Sequence, residues 1–216
     1  MSNPDTPTPQ PQRLPLFPLG TVLFPLGQLP LRIFEVRYLD MIGKCYRNKT
    51  PFGVVSLTQG SEVRRPGEAE EFHPIGTMAY VDSLETVQSG LLMVRCTGGD
   101  RFRIERSEQL PHGLWTASVQ PIEPDQKVPV PPDLDGTSQA LERLLETLSQ
   151  REEAPQFLSP GTKLQFDDCG WVSNRWCELL PLAPATKQRL MTLDNPLVRL
   201  ELVSDMLTKS GITPSM

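Results

Sequence analysis

The chain has 216 residues, 38% of them apolar and 22% charged, with 21 Lys and Arg against 26 Asp and Glu for a net charge of -5. At this length roughly 70% of the unfolded surface can be buried, so the core needs no disulfide or metal staple, and the composition is that of a soluble globular protein. No uncharged apolar run approaches the roughly 18 residues of a membrane span, no basic-then-apolar leader opens the chain, and the acidic balance offers no general attraction to nucleic-acid phosphates.

Proline sets the organisation. Of 23 prolines, eight fall in residues 1–30 and five in residues 121–132. Proline has no amide hydrogen and a fixed φ, so neither stretch is expected to form a helix or a central strand. Residues 1–12 read as a disordered tail. Short runs rich in Val, Ile, Phe and Thr follow at 22–24, 52–58, 75–81, 91–97, 101–106 and 114–122, separated by Gly and Pro. Such runs predict strands, and their spacing predicts a closed or nearly closed antiparallel barrel. In residues 101–105 the alternation puts Phe102 and Ile104 on one face and Arg101, Arg103 and Glu105 on the other. One helix interrupts the strands over 34–45, with Phe34, Tyr38, Met41, Ile42 and Cys45 at helical spacing.

The stretch IEPDQKVPVPPDLDG, residues 122–136, marks an extended linker, with the linker itself read over 123–136. The charge changes there as well: residues 1–120 carry 12 basic and 12 acidic side chains, residues 121–216 carry 9 and 14. The expected organisation is therefore a β-rich subdomain over 13–122, the linker, and a helical bundle over 137–212. In the bundle, Thr137 or Ser138 is read as the cap of a helix bearing Leu141, Leu144, Leu145 and Leu148. Val172, Trp176, Leu179 and Leu180 make a second stripe, and Pro184 opens a short third helix with Leu190 and Met191. The last helix has Asn195 as N-cap, Pro196 at its first position, a stripe of Leu197, Leu200, Val203 and Leu207, and Gly211 as its stop.

Catalytic patterns are missing. Cys45, Cys96, Cys169 and Cys177 form no CxxC pair and the only histidines, His73 and His112, are far apart in sequence, so no zinc site is expected and the thiols suit a reducing compartment, the cytoplasm. There is no GxxxxGK[ST] loop, and Thr97-Gly98-Gly99-Asp100 reads as a strand-to-strand turn. There is no GxSxG elbow or HExxH helix. Asp167-Asp168, Glu152-Glu153 and the group Glu68, Glu70 and Glu71 read as solvated charges. Arg101, Arg103 and Arg106, with Arg64-Arg65 nearby, could form a basic strand face, but no aromatics interleave with them to stack bases.

Residues 14–38, LPLFPLGTVLFPLGQLPLRIFEVRY, closely resemble the opening of the Lon protease N-terminal, or LON substrate-binding, domain family, whose pattern runs LPLFPL, VLFP, LPLxIFExRY. The likeness continues through Phe52-Gly53-Val54-Val55, Ile75-Gly76-Thr77 and Gly99-Asp100-Arg101-Phe102-Arg103-Ile104, and into WVSNRWCELLPLAPATKQRLMTLDNPLVRLELV, spanning about residues 13–210. The resemblance implies an α+β fold, a PUA-like antiparallel β pseudobarrel followed by an α-helical bundle. It implies recognition of unfolded or extended polypeptide, or of a protease or chaperone partner, in a stand-alone form without the family's ATPase and Ser-Lys protease domains. No catalytic residue, cofactor or metal is expected. An RNA-binding PUA-like barrel is the alternative.

An apolar groove between barrel and bundle is the expected binding surface, with Leu31, Glu35, Arg37, Tyr38 and Arg101 as candidate protein-binding residues. Leu16, Phe17, Val22, Phe24, Ile33 and Phe34 are read as core, and Pro18, Pro25 and Pro30 as shaping the chain. Glu35 is expected to bond Arg101 or cap the helix that follows, and Arg37 to face a partner or solvent.

Overall fold

A computed structural model describes residues 12–63, 67, 69–150 and 163–212. Residues 1–11 of the tail expected over 1–12, Arg64-Arg65, Glu68 and Glu152-Glu153 lie outside the described residues, and Gln12 opens the first strand instead of closing the tail. The elements are β1 (Gln12–Leu19), β2 (Gln28–Ile33), α1 (Val36–Asn48), β3 (Phe52–Gln59), β4 (Glu71–Phe72), β5 (Ile75–Gln88), β6 (Leu91–Gln109), β7 (Trp115–Pro121), a 3-10 turn (Pro132–Leu134), α2 (Asp135–Gln150), α3 (Cys169–Leu179), α4 (Pro184–Met191) and α5 (Pro196–Lys209). The architecture is α+β.

Five strands close a ring in the order β1, β7, β6, β5, β3 and back to β1; every pairing is antiparallel except β1 with β3. β2 lies along the first half of β6 and β4 along β3. Leu14, Leu16, Val55, Met78, Phe102, Ala117 and Val119, drawn from all five ring strands, pack together as the barrel filling. A second cluster sets Tyr38, Met41, Ile42 and Cys45 of α1 against Phe17, Leu31, Ile33, Phe52 and Val94 of the strands. The third joins the helices through Leu141, Val172, Trp176, Leu200 and Val203, with Val22 and Phe24 inserted from the β1–β2 loop.

The proline argument fails at β1, which is a barrel strand although it contains Pro15 and Pro18. β1 changes partner at Leu16, pairing with β7 over Gln12–Leu16 and with β3 over Leu16–Leu19. Each proline therefore has a registered partner on one side only, and its missing N–H interrupts no two-sided ladder. Residues 22–24 are loop, and the strand signal there comes from apolar side chains that insert among the helices.

Thr97-Gly98-Gly99-Asp100 is not a turn. It lies inside the 19-residue β6, which continues from the runs at 91–97 and 101–106. A Cβ on Gly98 would overlap the Phe24 carbonyl oxygen, and one on Gly99 would lie 2.6 Å from the Tyr80 ring. The two glycines let other chain segments approach the strand, a standard reason for glycine within a strand. The turn into β6 falls instead at Gly90, with φ 79°.

Thr137 and Ser138 lie within α2 rather than capping it. Ser138 Oγ donates to Phe166 O at 2.6 Å and Thr137 Oγ1 bonds Ser204 Oγ of α5 at 3.0 Å, so both hydroxyls tie α2 to its neighbours. α5 follows its sequence signals: Asn195 Oδ1 accepts from Leu197 and Val198 N–H, Pro196 sits in the first turn, and Gly211 has φ 76°. Residues 122–131 form no helix or regular strand but are pinned along their length. Ile122 N–H donates to Arg101 O, Cys169 N–H to Val128 O, and Val130 N–H to Asp167 O, at 2.9, 2.8 and 3.1 Å.

Candidate functional site

Four of the five sequence-derived candidates are buried. Leu31 points into the α1 cluster, and the Tyr38 ring lies 4.1 Å from that of Phe17. Arg37 does not face outward: its Nη1 donates to Gly113 O at 2.8 Å, its Nη2 pairs with Glu70 at 3.3 Å, and its guanidinium stacks on Tyr38. Glu35 is half-buried and precedes α1 without a side-chain cap; its carboxylate accepts from Arg37 Nε at 3.2 Å, not from Arg101. Burial depresses the Arg37 charge, but Tyr38, Glu35 and Glu70 reverse this and leave its pKa raised; Tyr38 is raised too, mainly by burial.

Glu70 also accepts from Trp115 Nε1 at 2.6 Å. It is a buried polar hub rather than a solvated loop charge, a role its acidic neighbours conceal in the sequence. Phe34 is the reverse case: expected in the core, it is 53% exposed beside Val36 at 80%. The helix begins after Phe34, so its apolar stripe starts at Tyr38.

Arg101 is 4% exposed and leaves the expected basic face, because the helices cover that side of β6. Its Nη2 donates to Asp125 at 3.0 Å and its Nη1 to Met191 O at 2.9 Å. Asp125 also receives Nη1 of Arg199 at 2.5 Å, and that nitrogen reaches Asn174 at 3.1 Å. One carboxylate thus joins β6 to α5 through two buried guanidiniums. Burial pushes the Arg101 pKa down, Asp125 opposes that, and Arg199 adds to it.

Above this junction is a cleft of about 250 Å³, lined by Pro25 and Leu26 of the β1–β2 loop, Asp100 of β6, Pro124 of the 122–131 segment, and Trp171 and Asn174 of α3. Its wall is built from an unusual turn. Gly27 N–H donates to Phe24 O at 3.0 Å, with Pro25 second and Leu26 third. Leu26 has φ 61°. A positive φ at the third turn position is normally given to Gly or Asn, and an L-residue there costs about 1–2 kcal/mol. Leucine occupies it nonetheless, with 49% of its surface exposed.

The surroundings hold the turn in place. Leu26 N–H donates to Gly98 O and Gly98 N–H to Gly27 O, both at 2.8 Å, and Arg175 Nη2 of α3 donates to Pro25 O at 3.0 Å. Fully buried Phe24 supplies an anchor of about 1.5–3 kcal/mol. Arg175 is itself held by Glu178 at 2.7 Å. Trp171 is 4% exposed, packs edge-on to Phe166, and its Nε1 has no acceptor among the described residues. An unmet buried donor costs about 1–3 kcal/mol, so two residues of the cleft lining, Leu26 and Trp171, are held at a local cost, as binding sites often show.

The cleft offers apolar contact from Pro25, Leu26 and Pro124 beside the carboxylates of Asp100, Asp125 and Asp168. The four cysteines are buried, and burial pushes Cys96 and Cys177 up to about 12 and Cys169 up to about 11, so they are neutral thiols near pH 7. Among the described residues no group of three or more His, Cys, Asp or Glu is arranged to hold a metal, and no helix is long and apolar enough to cross a membrane. Leu26, Trp171 and Asp100 escaped the sequence reading. The available signal was Phe24-Pro25-Leu26-Gly27, in which a bulky residue stands where the turn calls for Gly.

A family model described as the ATP-dependent protease La (LON) substrate-binding domain matches residues 13–209. The crystal structure of a Lon N-terminal domain protein from Xanthomonas campestris is similar at 31% identity and TM-score 0.68, covering 89% of this chain and 96% of that one. The N-terminal domain of a Mycobacterium avium complex Lon protease shares the fold at 14% identity and TM-score 0.60, covering 91% and 98%. No curated protein matches the chain.

Proposed function

The chain belongs to the LON substrate-binding domain family, and from that premise we propose that it is a non-catalytic recognition module for unfolded or extended polypeptide, which it holds in the cleft beside Leu26. The observation that carries the reading is Leu26 itself, an exposed leucine held at positive φ where Gly or Asn would cost less. An apolar side chain buried against Leu26 and Pro25 gains about 25 cal/mol per Å². After the entropy of ordering the ligand, such a site is weak and tolerant of sequence. That suits a protein handing polypeptide to a protease or chaperone, the adaptor role we assign to it. We place this role in the cytoplasm, where unpaired thiols persist, and read residues 123–136 as joining a β-rich subdomain over 13–122 to a bundle over 137–212.

The test is titration of a dye-labelled, permanently unfolded polypeptide against the full chain. Micromolar binding that weakens at least about tenfold in Leu26→Asp supports the proposal. Binding unchanged by that substitution removes the cleft as the site, and no binding at all removes the function.

The RNA-binding alternative gains nothing from the geometry. Arg103 and Arg106 are exposed, but Arg101 is buried and engaged with Asp125.

A further inference from the structure

Resting on the polypeptide-binding reading of the cleft, we propose that its occupant is a segment pairing an apolar side chain with a neighbouring lysine or arginine. Of the charged groups that line the cleft, three are carboxylates, Asp100, Asp125 and Asp168, and one is the guanidinium of Arg101. Their states differ. Asp125 is engaged by Arg101 and Arg199, and Asp168 caps α3 by accepting from Trp171 N–H at 3.0 Å.

Asp100 is exposed and its carboxylate makes no hydrogen bond or ion pair among the described residues, so the rim carries one uncompensated negative charge. Oxygens of Asp168 and Asp125 lie 3.1 and 3.2 Å from where a Cβ on Gly170, also in the lining, would stand, but both are already engaged, so the free charge of the cleft is that of Asp100. The only guanidinium in the lining is 4% exposed and spends its donors on Asp125 and on backbone carbonyls. A cation entering from solvent therefore meets attraction at Asp100, and an anion meets repulsion with no free cation among the lining residues to offset it.

The apolar half of the specificity comes from Leu26, Pro25 and Pro124. An extended chain presents both groups together: an apolar side chain, and a long cationic side chain able to reach the rim while its stem covers apolar surface.

The experiment is fluorescence anisotropy of labelled unstructured peptides of about twelve residues with the full-length protein, at about 50 mM and about 500 mM salt. Three peptides share a Leu-Phe core flanked by Lys, Ser or Glu, and a fourth has Lys and Ser only. The Lys-flanked peptide is expected to bind about fivefold more tightly than the Ser-flanked one and the Glu-flanked peptide most weakly, with the spread collapsing at high salt. Asp100→Asn, a substitution at an exposed position, is expected to remove the advantage of Lys. Equal affinities for the three flanked peptides overturn the charge preference and leave polypeptide binding intact. Equal binding of the Lys-Ser peptide overturns the apolar requirement. Failure of every apolar-core peptide to bind overturns both the inference and the reading beneath it.

Discussion

Arg199 Nη1 stands 2.5 Å from Asp125 Oδ2 across 74 positions of chain. The same carboxylate holds Arg101, and both guanidiniums are almost fully buried. Removing one partner of such a group strands charge in a low-dielectric interior, which typically costs about 3–5 kcal/mol. Asp125→Ala is therefore expected to lower the urea midpoint by that equivalent with little change in slope. Replacing Asp40 of the exposed Asp40–Lys44 pair is expected to leave the midpoint in place. Equal effects of the two substitutions would mean that the junction carries no special weight.

Leu26→Asn separates stability from binding. Asparagine tolerates the left-handed region that Leu26 occupies at φ 61°, so the fold is expected to be as stable or up to about 1 kcal/mol more so. Loss of the apolar side chain is expected to weaken polypeptide binding about tenfold, on the scale of one buried leucine. Thermal unfolding and peptide titration on the same preparation check both halves. A variant that binds normally shows that Leu26 is strained for some other reason.

What the sequence made legible was periodic or capped. α5 follows Asn195, Pro196 and Gly211, and the α2 stripe follows Leu141, Leu144, Leu145 and Leu148. The ring was expected from short strands, yet β1 was hidden because its prolines fall where the strand changes partner, a tertiary circumstance. Gly98 and Gly99 resemble a turn until the approach of the β1–β2 loop to Gly98 and of the Tyr80 ring to Gly99 is known. The candidate residues failed for a related reason. Arg37 and Arg101 have the charge of surface residues, but Glu70 and Asp125 compensate them from 33 and 24 positions away, and no local pattern encodes that. Leu26 could have been found, because a Pro-Leu-Gly turn is a local chemical anomaly.

The cysteines give a dependence on pH. Burial raises Cys96 and Cys177 to about 12 and Cys169 to about 11, against 9.0 for an ordinary thiol in the unfolded chain. The native state therefore holds these protons more tightly. Their contribution to stability is complete below about pH 9 and is lost as pH climbs through the native values, since the unfolded chain releases protons first. Chemical denaturation is expected to show a falling midpoint between pH 9 and pH 11. A disulfide-exchange reagent at pH 8 is expected to leave all four thiols untouched in native protein and to modify all four in denaturant. Rapid native labelling would contradict the burial.

Gly27→Ala tests whether the cleft wall depends on its support rather than on its lining alone. A Cβ at Gly27 would overlap Glu178 Oε1 and lie 2.9 Å from Phe24 O. Two responses are open. Glu178 can retreat, loosening its 2.7 Å hold on Arg175 and hence the Arg175 bond to Pro25 O. Alternatively, the loop can shift, stretching the paired hydrogen bonds between Leu26, Gly27 and Gly98. Overpacking of this kind costs about 1–3 kcal/mol, and both responses release Leu26 from its position. Gly27→Ala is therefore expected to weaken peptide binding although Gly27 does not line the cleft. Gly90→Ala, at positive φ in an open turn, is expected to destabilise by about 1 kcal/mol and leave binding alone. Measured together by peptide titration and thermal unfolding, these variants distinguish general loss of stability from loss of a preformed wall. Equal binding losses in both would show that affinity follows stability alone.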